Sequence, residues 1–216
     1  MKCTLFTFLL CLFILVSCTG NKQDEKISLI SKYDDNVLLH AKTNIDSAYY
    51  YANEMKRLSE EMNYEIGRIR SLICFGIICI YQYNDTCTLD FLNKAIKKSK
   101  SINYKEGLAR AKLNMGFFYF YNENYKKALP CFLESLKIFE DIKNNERVIF
   151  SLINIGGAYV GLNKMDSSLY YSLVCRSVPT MQYAPGLAYW LFAYVKLNHR
   201  TSRPDNVRQH FVVIEK

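Results

Sequence analysis

The sequence predicts an all-α chain, an α-solenoid of antiparallel helical hairpins stacked with a period of about 40 residues. Two observations carry this. Gly76, Gly116 and Gly156 stand 40 residues apart, and their surroundings repeat with them: Ile-Cys-Phe-Gly at 73–76, Leu-Asn-Met-Gly at 113–116 and Ile-Asn-Ile-Gly at 153–156. A fixed interval of roughly 34 to 47 residues marks stacked hairpins, because each hairpin can bury its apolar face only against its neighbours. In addition, Leu108, Ala111, Met115, Phe118 and Tyr119 follow three-and-four spacing, whereas no alternating run is long enough to make a strand.

The elements follow in order. Lys2 precedes an uncharged run from Leu5 to Val16, which reads as a signal peptide over residues 1–17. It is shorter than the roughly 20 apolar residues of an ordinary spanning helix. Leu15-Val16-Ser17-Cys18 is similar to the bacterial lipobox, a resemblance that implies a lipid on Cys18 as the mature N-terminus. Thr19 stands where an aspartate would signal inner-membrane retention, which favours the outer membrane. Residues 18–26 are polar and read as a flexible tether. A helical repeat domain is expected over 27–178, opening with a helix near 27–41.

Within that domain Asp46 and Asp166 precede apolar-periodic runs, where a carboxylate can cap free amides and face the positive end of the helix dipole. Asn63-Tyr64 with Gly67, and Asn103-Tyr104 with Gly107, read as hairpin-to-hairpin turns. A helix over 108–121 ends at Tyr121-Asn122-Glu123-Asn124, and the next starts near Tyr125. Small residues recur at Ala48, Thr88, Ala128 and Ser168. After Val178-Pro179 the composition changes, and residues 179–216 form either a divergent C-terminal cap or an altered tail.

Met115, Gly116, Tyr119, Ala128 and Phe132 fall at the spacings of a tetratricopeptide repeat, which residues 30–175 resemble. Together with the lipobox, the whole chain resembles a bacterial tetratricopeptide-repeat lipoprotein, Bacteroidetes-like in character. Lys112 stands in place of the usual tryptophan, Cys79 in place of one tyrosine and Ser172 in place of one phenylalanine. The resemblance implies a right-handed superhelix packed through Gly76, Gly116, Tyr119, Ala128, Phe132, Gly156 and Tyr159. It also implies a concave groove on the first helices that binds an extended peptide or partner helix. Carried over by column, that groove presents Arg70, Arg110, Asn114, Phe117, Phe120, Tyr121 and Asn154. Cys74 interrupts the asparagine column and Phe150 the arginine column.

Other chemistry finds no support. His40, His199 and His210 belong to no metal-binding or catalytic spacing, and no glycine-rich phosphate loop occurs. Beyond Cys18, the cysteines Cys74, Cys79, Cys87, Cys131 and Cys175 form no CxxC pair and read as small packing residues. A disulfide is compatible with an oxidising compartment, but no pair is identified. The formal charge of +8, or +7 once Lys2 is removed, includes Lys94, Lys97, Lys98 and Lys100, which read as a solvated face and not as a nucleic-acid site. No catalytic residue, metal or cofactor is expected. The expected function is a lipid-anchored scaffold in the cell envelope that binds a protein or peptide. The alternative is the sensory ectodomain of a membrane-tethered transcriptional regulator or sensor kinase.

Overall fold

Helices of 17 residues separated by three-residue turns generate the architecture. The computed structural model describes residues 23–178, in which eight helices follow one another: α1 (23–40), α2 (Ile45–Glu61), α3 (Glu65–Tyr81), α4 (Asp85–Ser101), α5 (Lys105–Tyr121), α6 (Tyr125–Asp141), α7 (Asn145–Gly161) and α8 (Met165–Ser177). From α3 onward every helix starts 20 residues after its predecessor, so two helices and two turns make the 40-residue period. Successive helices pack on one another, and α3 also meets α5, the first helix of the next hairpin. This is an all-α solenoid, as the repeat predicts. The break at 122–124 and the start of α6 at Tyr125 fall where the turn chemistry places them.

The turns share one geometry. Asn63, Tyr83, Asn103, Glu123, Lys143 and Asn163 all take φ between 50° and 57°. The amide after each reaches back five residues: Tyr64 to the Ser59 carbonyl at 2.8 Å, Asn84 to Cys79 at 3.0 Å, Tyr104 to Ser99 at 2.8 Å. These Schellman closures satisfy carbonyls that the helix end would leave open. No glycine is used. Asparagine tolerates the left-handed region, but Tyr83, Glu123 and Lys143 have no such advantage.

Asparagines also begin four of the eight helices. The side chains of Asn44, Asn84, Asn124 and Asn144 accept hydrogen bonds from the amides three residues on, at 3.1, 3.0, 3.3 and 3.1 Å. Asp46 and Asp166 are therefore not the caps expected of them; Asn44 and Lys164 hold those positions. Both aspartates lie in the first helical turn, where the dipole still favours their charge.

The turns at Asn63-Tyr64 and Asn103-Tyr104 lie where the sequence places them, but Gly67 and Gly107 fall beyond them. Each is the third residue of a helix, α3 or α5, with negative φ. A Cβ at Gly107 would lie 2.5 Å from Tyr104 Cε1 and 2.9 Å from Ser99 Oγ, and one at Gly67 would lie 2.8 Å from Tyr64 Cδ1. The tyrosine that opens each helix folds its ring over the glycine. The need is for clearance, not for an unusual backbone.

The expected crossing of the hairpin helices is present. A Cβ at Gly116 would lie 2.5 Å from Phe132 Cδ1, and one at Gly76 would lie 2.7 Å from Leu92 Cδ2. Ala128 and Phe132 are fully buried, while Tyr119 is half-buried beneath the Lys127 ammonium, 5.6 Å from its ring centroid. In the fourth hairpin Gly156 is buried, Ser172 replaces the large partner, and Tyr159 stacks on Tyr171 at 5.5 Å. Lys112 reaches the Glu134 carboxylate, so the missing tryptophan becomes an ion pair. Apolar residues gather around Ile30, Met55, Ile69 and Ile73 at one end and around Leu113, Phe132, Phe139 and Leu152 at the other.

The cysteine expectation needs a correction. Cys79, which is fully buried, is joined to Cys87 by a disulfide across the α3–α4 turn, while Cys74, Cys131 and Cys175 are free. The signal peptide 1–17, Cys18 and residues 179–216 lie outside the described residues. Of the expected tether, residues 23–26 form the first turn of α1. Among the described residues no helix is long and apolar enough to cross a membrane.

A candidate groove on the first helices

The first helices of successive hairpins are α1, α3, α5 and α7. The 40-residue register aligns Asp34, Cys74, Asn114 and Asn154 along them, and Arg70 with Arg110 one turn earlier. Asp34 therefore heads the asparagine column, a position that the sequence reading left unfilled.

Both expected arginines turn inward to it. Arg110 donates from both terminal nitrogens to the Asp34 carboxylate, at 2.6 and 2.8 Å. Arg70 donates from Nε at 2.8 Å and from its terminal nitrogen to Ser31 Oγ at 3.2 Å. The Cys74 thiol donates to the other Asp34 oxygen at 3.1 Å. Arg110 is 5% exposed and Asp34 2%, so the pair is sealed from water. Burial by itself would raise the Asp34 carboxyl, but Arg110, Arg70 and the thiol outweigh it and hold the group well below the usual carboxylate range. Burial and then the Asp34 charge push the Cys74 thiol up, which keeps it protonated as a donor. The two arginines thus bind an internal carboxylate.

Asn114 donates to the Arg110 carbonyl at 2.9 Å, and Asn154, which is buried, to the Phe150 carbonyl at 2.6 Å. Each bonds one turn back on its own helix and keeps its side-chain oxygen as an acceptor. Phe117 stacks on Tyr121 at 6.2 Å and meets Phe132 edge-on at 5.6 Å, so it belongs to the core and lines the face at once. Phe120 is 5% exposed and packs as core.

Arg147 completes the arrangement and was not foreseen. It occupies the column of Gly67 and Gly107, so its side chain extends where the earlier hairpins have none. Its guanidinium carbon lies 5.9 Å from the Phe150 ring centroid. Burial first, and then the neighbouring Arg110 charge, lower its basicity. Arg70 and Arg110 thus share one buried carboxylate, and Arg147 adds a third guanidinium further along this face, against Phe150.

A tetratricopeptide repeat family model matches residues 107–173. The match takes in α5 to α8, two hairpins. The stretch α2 to α4 repeats the same helix length, turn and Schellman closure, so the tetratricopeptide-like geometry continues towards the N-terminus. No curated protein matches the chain. Among the described residues no group of three or more His, Cys, Asp or Glu side chains is placed to hold a metal ion.

Proposed function

We propose that the chain is a lipid-anchored, extracytoplasmic scaffold whose first-helix face binds an extended segment of a partner protein. The binding half rests on the tetratricopeptide match, since such repeats generally mediate protein–protein interaction. On this reading Arg70 and Arg110 set the floor of the groove through Asp34, while Asn114, Phe117, Tyr121 and Asn154 meet the ligand. Arg147 supplies positive charge at the α7 end, which favours an acidic segment. The location half rests on the lipobox-like Leu15–Cys18. The Cys79–Cys87 disulfide supports it, because such bonds persist chiefly in oxidising compartments. The lipid places the protein at the cell envelope, with the outer membrane favoured by Thr19.

Two experiments test the halves separately. A photo-crosslinking residue at Asn114 should capture a partner in cells, and one at Lys137, exposed on second helix α6, should not; equal capture from both positions refutes the groove. Metabolic palmitate labelling should disappear in Cys18→Ala, and a variant that still labels refutes the anchor.

A further inference from the structure

A second surface lies on the edge where the turns within successive hairpins line up. Three peculiarities meet there. First, Tyr83 takes a left-handed backbone, φ 55°, at a position that Asn63 and Asn103 hold in the turns between hairpins and Glu123 holds in the equivalent turn one period on. A bulky aromatic is an unusual choice for that region of backbone space. Its side chain is 88% exposed, so the fold does not use the ring. Second, the Cys79–Cys87 disulfide fastens this same turn from both sides. At the same two positions one period on, Tyr119 and Lys127 make only a cation–π contact. Third, the turn borders a cleft of about 680 Å³, within the range of roughly 300–1,000 Å³ usual for small-molecule sites.

The cleft runs across three hairpins. Ile45 and Ile80 form its apolar floor, and Tyr81 and Tyr121, both half-buried and one period apart, stand beside it. Gln82 and Asn122 hold the rim. The Tyr49 hydroxyl donates to Gln82 Oε1 at 2.8 Å, which leaves the amide nitrogen of Gln82 as a donor. Asn122 gives its amide nitrogen to Asp85 at 3.4 Å and keeps its oxygen as an acceptor. Aromatic rings beside a small set of oriented amides suit a molecule with C–H faces and hydroxyl edges.

We propose that this cleft is a binding site for a neutral saccharide of a few rings. Tyr83 closes over one ring face, and Gln82 and Asn122 bond the hydroxyls. The disulfide holds the turn in its binding conformation before the sugar arrives, which limits the ordering that binding must impose. The site borders the groove at Tyr121, which lines both, but it is otherwise built from helix ends and turns and needs neither Arg110 nor Asn114.

The test uses the full-length chain in a detergent without sugar headgroups, with di- to tetrasaccharides of glucose, galactose, mannose and N-acetylglucosamine as probes. Saturation-transfer NMR and calorimetry should detect binding of at least one of them. Tyr83→Asn places at 83 the residue that holds the same left-handed position at 63, 103 and 163, so it should fold, and it should weaken binding by about tenfold or more. Gln82→Ala should weaken binding as well, and Asn114→Ala in the groove should not. Reduction of the disulfide should loosen the turn and lower the affinity. If no sugar binds the wild type, or if Tyr83→Asn binds as well as the wild type, the proposal is overturned. If affinity is unchanged after reduction, the role given to the disulfide is overturned.

Discussion

The Asp34 carboxylate receives both arms of the Arg110 guanidinium across 76 residues of chain, tying the first hairpin to the third. A solenoid normally bonds each unit only to the next. Here the ion pair spans one whole hairpin and closes beneath the first-helix face. Removing one partner of a buried pair leaves the other charge without compensation.

Asp34→Ala should therefore destabilise the fold by about 3–5 kcal/mol, more than a surface charge change would. Urea denaturation followed by circular dichroism measures it. A loss under about 1 kcal/mol would show that water reaches Arg110.

The same pair sets a pH dependence. The folded carboxyl titrates below its unfolded value of about 3.9, so its contribution is complete above that pH. It is lost as the pH falls from about 4 towards the lower folded value, because the unfolded state then binds the proton first. The wild-type melting temperature should drop steeply over this acid range. Asp34→Asn should start lower and show a shallower slope.

Gly116→Leu should destabilise by about 1–3 kcal/mol, since any Cβ there meets the Phe132 ring, which is itself fully buried. Pairing it with Phe132→Ala should return part of the loss, and thermal melts of both variants with their double mutant test this coupling.

Gly107→Leu should be comparably harmful and for a steric reason, because Tyr104 and Ser99 fill the space. Tyr104→Ala in the same chain should partly rescue it. If Gly107→Leu proves neutral, then the tyrosine ring swings away at little cost.

The period, the hairpin partners of Gly116, and the start of α6 at Tyr125 were legible because close helix crossings tolerate few residue types, so the same types recur at one interval. Gly67 and Gly107 misled because a glycine beside asparagine usually signals a turn, whereas here it makes room for a tyrosine ring. Glu123 and Lys143 carry no left-handed preference, so which residue of each turn takes the left-handed backbone shows only through the spacing of 20 residues. Asn44, Asn84 and Asn124 did repeat at 40 residues and could have named the caps. The Cys79–Cys87 pair could be seen only once the α3–α4 turn was located, since a separation of eight bridges a hairpin only at its tip. The Asp34–Arg110 bond left a single trace, an acid at the head of the asparagine column.

Asn84→Ala should cost about 1 kcal/mol, the usual value of an N-cap, and should destabilise the hairpin that carries the disulfide. Native-state hydrogen exchange should show the loss first in the amides of α4, near Cys87.

The uniform seam between helices has a consequence for inheritance. Asn84 and Asn124 are the same residue in the same cap, each followed by the first residue of a 17-residue helix. A tandem copy of residues 85–124 inserted after Asn124 would meet its neighbours through junctions that the chain already contains. An in-frame slip of one repeat during replication could therefore lengthen the folded protein without requiring a new turn. Reach would then change in whole steps, and selection could adjust the length of the array separately from the residues that line it.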